Sequence, residues 1–567
     1  MHTLTYDVPT LREMVEDKMM VIEMIDQTHP SYQALSSGDK QAIPYLIKAA
    51  DILNDVALEQ DHPLNRVLKQ ELIERSQAGD EAATLSLRLF NSLNGVMGLN
   101  GFDPEPVCVF KGVPSYLGRN FYPSDLSVSD FHQILKTMLH QGKKEEVAQI
   151  LSARTMVRWT ADHNLQGIDY TVYFAKEFAQ IAENLKKAAT LTTDDDFREY
   201  LYAQAEALTQ TDNNKDAVAD KLWATLTGPI ELTLSRENYD DEMTPTLFEN
   251  EELTELIQQA GIQPVNKDML GMRIGLVNRD GTALIHRFQK LMGTLGAQMP
   301  YADKYTQVIT DTGTVKQEAV DVDLIDLKGD YAQCRGAITT AQNLPNDDKL
   351  AVKTGGGRRN VYHRQVRQTY GSVETKQVLN YLVDPAFHKY FNPEAHHLFV
   401  IGHENGHSLG PNDTYKGALG AYAATVEENK ADLVSIAFMP AYVQAGIITN
   451  ETLYQIYASW IYRLFPRSKP QLIQPHRIAD LIHMNALLKK GAIKVSSNQK
   501  IALDFDKIHQ VVWDLLTETI EIQLSRSASK AKAFIDKYTD WPNIAEHMVQ
   551  VWKSLNPKIY KEIKRHF

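Results

Sequence analysis

From Leu11 to Ile25 the apolar residues Leu11, Met14, Val15, Met19, Ile22 and Ile25 recur at the spacing of one helix face. Similar patterns continue past Leu46 and Leu85, so the first third of the chain is predicted to be mainly helical. Over Phe102 to Pro123 the pattern breaks into Pro, Gly and aromatic residues, which reads as an irregular segment packed on the helical body. Helices resume through Val128 to Leu208. Between about Ile230 and Val373 short β-branched runs such as VDVDLIDL and TQVITDTGTV alternate with Gly, Asn and Asp turns, predicting a small sheet or barrel. Helices return from about Pro385 and dominate to the C-terminus, including the amphipathic run from Ile508 to Leu524. The expected class is α+β and predominantly helical, with a mixed helical and β-rich lobe over 1–375 and a helical lobe over 376–567.

Composition narrows the classes. A chain of 567 residues forms several domains or one large two-lobed body, and 43% apolar with 23% charged residues is ordinary globular usage. The net charge of −13 comes from acidic and basic residues mixed along the chain, so nucleic acid is not an expected partner. Charges interrupt every apolar run near the N-terminus, which is a poor signal peptide, and no apolar stretch is long enough to predict a membrane span. The two cysteines, Cys108 and Cys334, make neither a disulfide framework nor a CxxC pair, which points to a reducing cytoplasm.

The segment from Asn392 to Leu409, NPEAHHLFVIGHENGHSL, places Pro393 at a helix start behind a capping Asn392 and ends in HENGH. Residues i and i+4 share a helix face, so His403 and His407 are able to aim imidazole nitrogens at one metal ion, with Glu404 beside them as candidate base. Gly410 and Pro411 stop that helix, and the next carries EENKAD, with Glu428 lying 21 residues beyond His407. A catalytic zinc takes three protein ligands and keeps one position open, and Glu428 supplies the third. Asp432, one turn further on, is placed to accept the second N–H of a ligating histidine, while Glu427 is read as solvent-facing or behind the ligands. Singly, each motif has a plainer reading, a chance pattern or a solvated acidic helix start; together they indicate a metal. His396 and His397 read as packing or supporting residues, and TGGGRRN at Thr354 to Asn360, lacking the Gly-Lys-Ser/Thr ending of a phosphate loop, as a flexible basic turn.

With these motifs the sequence resembles the dipeptidyl peptidase III family, zinc exopeptidases that remove dipeptides from the N-termini of short peptides. EENKAD matches the family's EExxA(E/D) motif, Asn343-Leu344-Pro345-Asn346 its NxPN segment, and NFYP at Asn120 to Pro123 with ENYDD at Glu237 to Asp241 look like its bacterial and Nudix-associated members. The resemblance implies a two-lobed, zincin-like fold with a helical catalytic lobe, a lobe containing a small β-barrel or sheet, and an active-site cleft between them. It implies one zinc per chain on His403, His407 and Glu428, with Glu404 as base and Asn343 and Asn346 binding the peptide backbone or else capping a turn. His476, 15 residues before the helix-closing Gly491, would steady the oxyanion, or is a surface histidine at a helix start. Glu237 would bind the substrate's free amine, or is a turn acid. Two departures stand out. HENGH has five residues where the best-known members have six, and the family's transition-state tyrosine falls on Leu232, leaving that role vacant or filled by another residue such as Tyr239. The alternatives are therefore a zinc hydrolase of another amide or small molecule, and a catalytically weak peptide-binding relative.

Overall fold

A computed structural model describes residues 2–99, 106–211, 214–237, 241–305, 318–332, 338–344, 359–367, 369, 373–411, 416–471, 474–555 and 558–567. The chain divides into two units, one made of Met1–Val277, Asp323–Thr339 and Lys558–Phe567, the other of Asn278–Val322 and Thr340–Pro557. The division thus falls first at Val277 and then returns three times, rather than once near 375. Both units are mainly helical with small sheets. All sheets among the described residues are open, so of the two expected alternatives, sheet or barrel, the sheet is found. No described helix is long and apolar enough to cross a membrane.

In the first unit, helix α1 (Val8–Arg12) is capped by Asp7, whose side chain accepts from the Thr10 N–H, and gives way after one wider turn to strand β1 (Met19–Glu23). The helix expected to run to Ile25 therefore stops early. Met19 and Ile22 are buried because β1 pairs in parallel with Tyr560–Lys564, Met19 opposite Tyr560, and a partner so distant in sequence leaves no mark on local periodicity. Helices α2 (Ser37–Asp61), α3 (Asn65–Gln77) and α4 (Glu81–Leu93) follow, with Ser36 and Asp80 as caps of α2 and α4. Leu58, Leu68, Leu72, Leu89 and Phe90 close one core with Phe110 and Tyr560. A hairpin of β2 (Thr155–Trp159) and β3 (Leu165–Asp169) interrupts the helices expected across Val128 to Leu208, because the β-branched and aromatic TMVRW run finds a partner after a tight turn at Thr160 to Asn164. Helices α5 (Ala175–Leu191) and α6 (Asp195–Thr209) lead to the antiparallel strands β4 (Ile230–Glu237) and β5 (Met269–Asn278). Leu232 in β4 is fully buried, and its carbonyl accepts the Tyr200 hydroxyl at 2.9 Å. NFYP and ENYDD meet at buried Asp241, which accepts from the Met243 and Lys267 N–H groups and the Thr244 hydroxyl and lies 3.5 Å from the Tyr122 hydroxyl. Strand β6 (Glu318–Gly329), which contains VDVDLIDL, carries the chain from the second unit back into the first; TQVITDTGTV lies outside the described residues.

The second unit opens with α7 (Arg279–Gln289), capped by Asn278. Its sheet pairs β7 (Ala341–Leu344) antiparallel to β8 (Arg359–His363), and β8 parallel to the start of β6. Arg359 and Asn360 are buried strand residues, not part of a flexible turn, because the ladder to β6 captures them; Thr354 to Arg358 lie outside the described residues. Then come α8 (Pro393–His407), α9 (Ala423–Gln444), α10 (Asn450–Arg463), α11 (Pro475–Lys490) and α12 (Phe505–Ser525). Helices α8 and α9 are buried almost all round, among Phe399, Leu433, Ile436, Trp460, Leu516 and Ile520. Each such side chain contributes about 1.5–3 kcal/mol on burial, so the polar residues on these helices sit inside a strongly held frame.

Candidate metal centre

Helix α8 begins where the sequence predicts: the Asn392 side chain accepts the Glu394 N–H at 3.0 Å and Pro393 occupies the first turn. Two glycines then set how near α9 comes. A Cβ on Gly402 would stand 2.3 Å from Ser435 Oγ, and one on Gly406 2.7 Å from the Ala431 carbonyl oxygen. The helices run antiparallel, so later residues of α8 face earlier residues of α9. Ser435 Oγ donates to the Phe399 carbonyl at 2.7 Å, His403 faces Asp432, and His407 faces Glu427.

That register makes the site. His403 Nδ1 lies 2.7 Å from Asp432 Oδ1 and His407 Nδ1 lies 2.9 Å from Glu427 Oε1. A carboxylate only accepts, so each Nδ1 carries its hydrogen, and each Nε2 presents a lone pair once its imidazole is neutral. The two Nε2 atoms are 3.2 Å apart, and Glu428 Oε2 stands 3.4 Å from that of His403 and 3.6 Å from that of His407. Glu428 Oε2 is buried and has no hydrogen-bond partner. Three ligand-type atoms thus converge, and a cation that takes the place of a proton on Nε2 satisfies all three at once. Ligands about 2.0–2.1 Å from a tetrahedral zinc stand roughly 3.3–3.4 Å apart, so the triangle fits this ion.

The surrounding charges are ordered as well. Burial alone lowers the pKa of His403, but Asp432, by hydrogen bond and charge, with Glu428 and Glu404, lifts it to about 9. Asp432 is itself buried, yet Arg463 and His403 hold it well below the usual carboxylate range. Burial is the larger influence on His407 and lowers it. Glu404 is 8% exposed, and burial followed by the Glu404 charge raises the Tyr362 phenol well above its usual value. Lys430, itself buried, reaches Glu427 Oε1 at 2.9 Å and donates to the Leu409 carbonyl at 2.8 Å, tying the second carboxylate to the turn after α8.

His403, His407, Glu428 and Asp432 therefore come together as the spacing predicts. His476, at the start of α11, joins them: its side chain is 57% exposed and its Nδ1 lies 3.3 Å from Glu428 Oε2. It is a surface histidine at a helix start, one of its two expected readings, and it stands beside the triad. His396 and His397 are buried, and His397 packs its ring edge-on against Tyr362 and contacts Arg367 at 3.1 Å. Asn343 is a strand residue opposite Asn360, while Asn346 and Tyr239 lie outside the described residues. Glu237 is a buried residue of the first unit, paired with Met269 in a strand, so it is not a turn acid. Glu427 stands behind a ligand, one of the two places open to it in the sequence. Lys430 and Arg463 had no assigned role; the antiparallel register was the signal for Glu427, and no spacing pointed to Arg463.

No family model matches the chain. Over 557 residues it is 21% identical to Nudix hydrolase 3 of Arabidopsis thaliana, covering 89% of this chain and 68% of that protein. Among solved structures it is similar to DPP III from Caldithrix abyssi, with a TM-score of 0.80 at 22% identity over 96% of this chain and 97% of that one. The fold is that of dipeptidyl peptidase III. The dipeptidyl-peptidase III from Corallococcus sp. strain EGB agrees, with a TM-score of 0.79 at 21% identity over 99% of this chain and 97% of that one. In the dipeptidyl peptidase III fold of this chain, the candidate metal group lies wholly on α8 and α9.

Proposed function

We propose that this chain is a zinc-dependent exopeptidase that releases dipeptides from the N-termini of short peptides. The observation that carries the reading is the convergence of His403 Nε2, His407 Nε2 and Glu428 Oε2, with each histidine's other nitrogen held by a carboxylate. The dipeptidyl peptidase III fold, found with that triad, supports the substrate class. Its two cysteines suit a reducing cytoplasm.

In this reading His403, His407 and Glu428 hold one zinc, which when bound acts as a Lewis acid on a carbonyl and lowers the pKa of water towards about 7. Glu404 is the base: it takes a proton from the attacking water and passes it to the leaving amine. His476, exposed beside Glu428, donates to the oxygen that gains charge in the tetrahedral state. Asn343 and Asn346 hold the peptide backbone, and Glu237 with Tyr239 the substrate's N-terminal end.

The test is Glu404→Gln. Its hydrolysis is expected to fall by about 10²–10⁴-fold while metal analysis still finds one zinc per chain; wild-type turnover in that variant contradicts the mechanism. Product mass spectrometry on one unblocked and one N-acetylated peptide separates the substrate readings, since equal cleavage of both contradicts an exopeptidase. A second reading, hydrolysis of another amide, is favoured by Leu232, which is fully buried and presents no hydroxyl where the family places its tyrosine. It predicts zinc but no cleavage of either peptide.

A further inference from the structure

Behind His403 a second set of ligand-type groups converges. Asp432, Asp480 and His483 are all buried, with one donor atom from each within 4.8 Å of the others. The cation among them belongs to the protein. Arg463, the last residue of α10, pairs through Nη2 with Asp432 Oδ2 and stands 2.9 Å from Asp480 Oδ1. Its guanidinium carbon lies 4.8 Å from the centre of the Phe399 ring, one turn before His403 on α8. Asp480 also accepts from Arg477 at 3.4 Å.

We propose that Arg463, locked by Asp480 and by the Phe399 ring, is a positioning residue for the metal, acting on it through Asp432 and His403. The inference rests on the metal reading above. Asp432 is fully buried and accepts from His403 Nδ1 through one oxygen, so its other oxygen needs a countercharge on the far side. Arg463 supplies that charge and fixes the plane of the carboxylate, which in turn fixes the ring of His403. Without the guanidinium, two buried carboxylates lose the cation between them, and the second oxygen of Asp432 keeps only a distant neighbour among the described residues, His483 Nδ1 at 3.8 Å. One guanidinium nitrogen, Nη2, reaches both carboxylates while the planar group lies over an aromatic ring; an ammonium keeps the charge but not that stacked plane. The chain from metal to α10 is therefore His403, Asp432, Arg463, Asp480.

The experiment measures zinc affinity by competition with a chromophoric chelator, and the visible spectrum of the cobalt(II)-loaded protein, for wild type, Arg463→Met, Arg463→Lys, Asp480→Asn and His403→Ala. Arg463→Met is expected to weaken zinc binding about 10–100-fold, the range for groups that orient metal ligands, and to alter the cobalt bands. Arg463→Lys should recover part of both and Asp480→Asn should lose less than Arg463→Met. Circular dichroism of the metal-free proteins checks folding; if Arg463→Met does not fold, the Lys and Asn variants decide. Wild-type zinc affinity and cobalt bands in the folded Arg463 and Asp480 variants, with His403→Ala unable to bind, overturn the proposal and leave the metal reading standing. Unchanged binding in His403→Ala overturns the metal reading itself. A second zinc lost in His483→Ala would make the cluster a metal site in its own right and also overturn the role given to Arg463.

Discussion

The two histidines of HENGH are supported in the same manner but at different depths. His403 is backed by Asp432, Asp432 by Arg463, and Arg463 by Asp480; the carboxylates are buried and the arm leads to α10 and α11. His407 is backed by Glu427, and Glu427 by Lys430, but the Glu427 side chain is 13% exposed and its second oxygen accepts a long bond, 3.3 Å, from the Gln523 amide of α12. Each arm is a carboxylate pinned between an imidazole and a cation. The depth of the carboxylate is what differs, 0% exposed in Asp432 and 13% in Glu427, and a charge interaction cut off from water is worth more than one near it. The deep arm should therefore govern how tightly a metal is held, and the shallow arm should tolerate change.

The largest effect is one that should not distinguish the arms. His403→Ala and His407→Ala each remove one of the three proposed ligands, so both are expected to abolish zinc retention through a desalting column and to reduce hydrolysis to background. If one of them keeps stoichiometric zinc, the triad is not the ligand set. One step behind the ligands the arms separate. Asp432→Asn is expected to weaken zinc binding by about 100-fold and Glu427→Gln by about 10-fold, measured by chelator competition. Equal losses would show that depth does not set the strength of support.

Much of this site was legible because helical spacing is local. HENGH and EENKAD each put their groups on one face, and a third ligand from a following helix completes a zinc set, so His403, His407, Glu428 and Asp432 could be named from the chain alone. What stayed hidden depends on partners from elsewhere. Arg463 reaches Asp432 from another helix at no regular spacing, and Met19–Glu23 became a strand through a pairing with Tyr560–Lys564. Glu427 was left between two positions, although Gly402 and Gly406, spaced to let α9 approach, fix a register that puts it on His407.

Those glycines give the next test. A Cβ at Gly406 meets a backbone carbonyl, which cannot move without α9, whereas one at Gly402 first meets two side-chain ends, the Ser435 hydroxyl at 2.3 Å and Met439 Cε at 2.9 Å, with the Ser435 Cα at 3.0 Å. Gly406→Ala is expected to cost about 1–3 kcal/mol, from overpacking, and Gly402→Ala less, read as midpoints of urea unfolding of the metal-free proteins. Because Gly406 lies beside His407 and Gly402 beside His403, a larger loss in Gly402→Ala would reverse the assignment of the tighter approach.

The smallest effect belongs to Gln523. Its amide nitrogen donates to Glu427 Oε2 at 3.3 Å, a long bond, while its amide oxygen is buried without a partner. A hydrogen bond to a charged group is worth about 1.5–3 kcal/mol at good geometry, less when stretched, and an unpaired buried oxygen costs about 1–3 kcal/mol. Gln523→Leu removes both together and keeps a side chain of similar size, so the two terms oppose and stability should change by no more than about 1 kcal/mol. Zinc affinity should change less than about threefold, because Lys430 holds the other oxygen of Glu427, the one that faces His407. A tenfold loss of affinity in Gln523→Leu would show that the shallow arm is aimed from α12 and not by Lys430, and the likeness between the two arms, each a carboxylate fixed by a cation, would no longer hold.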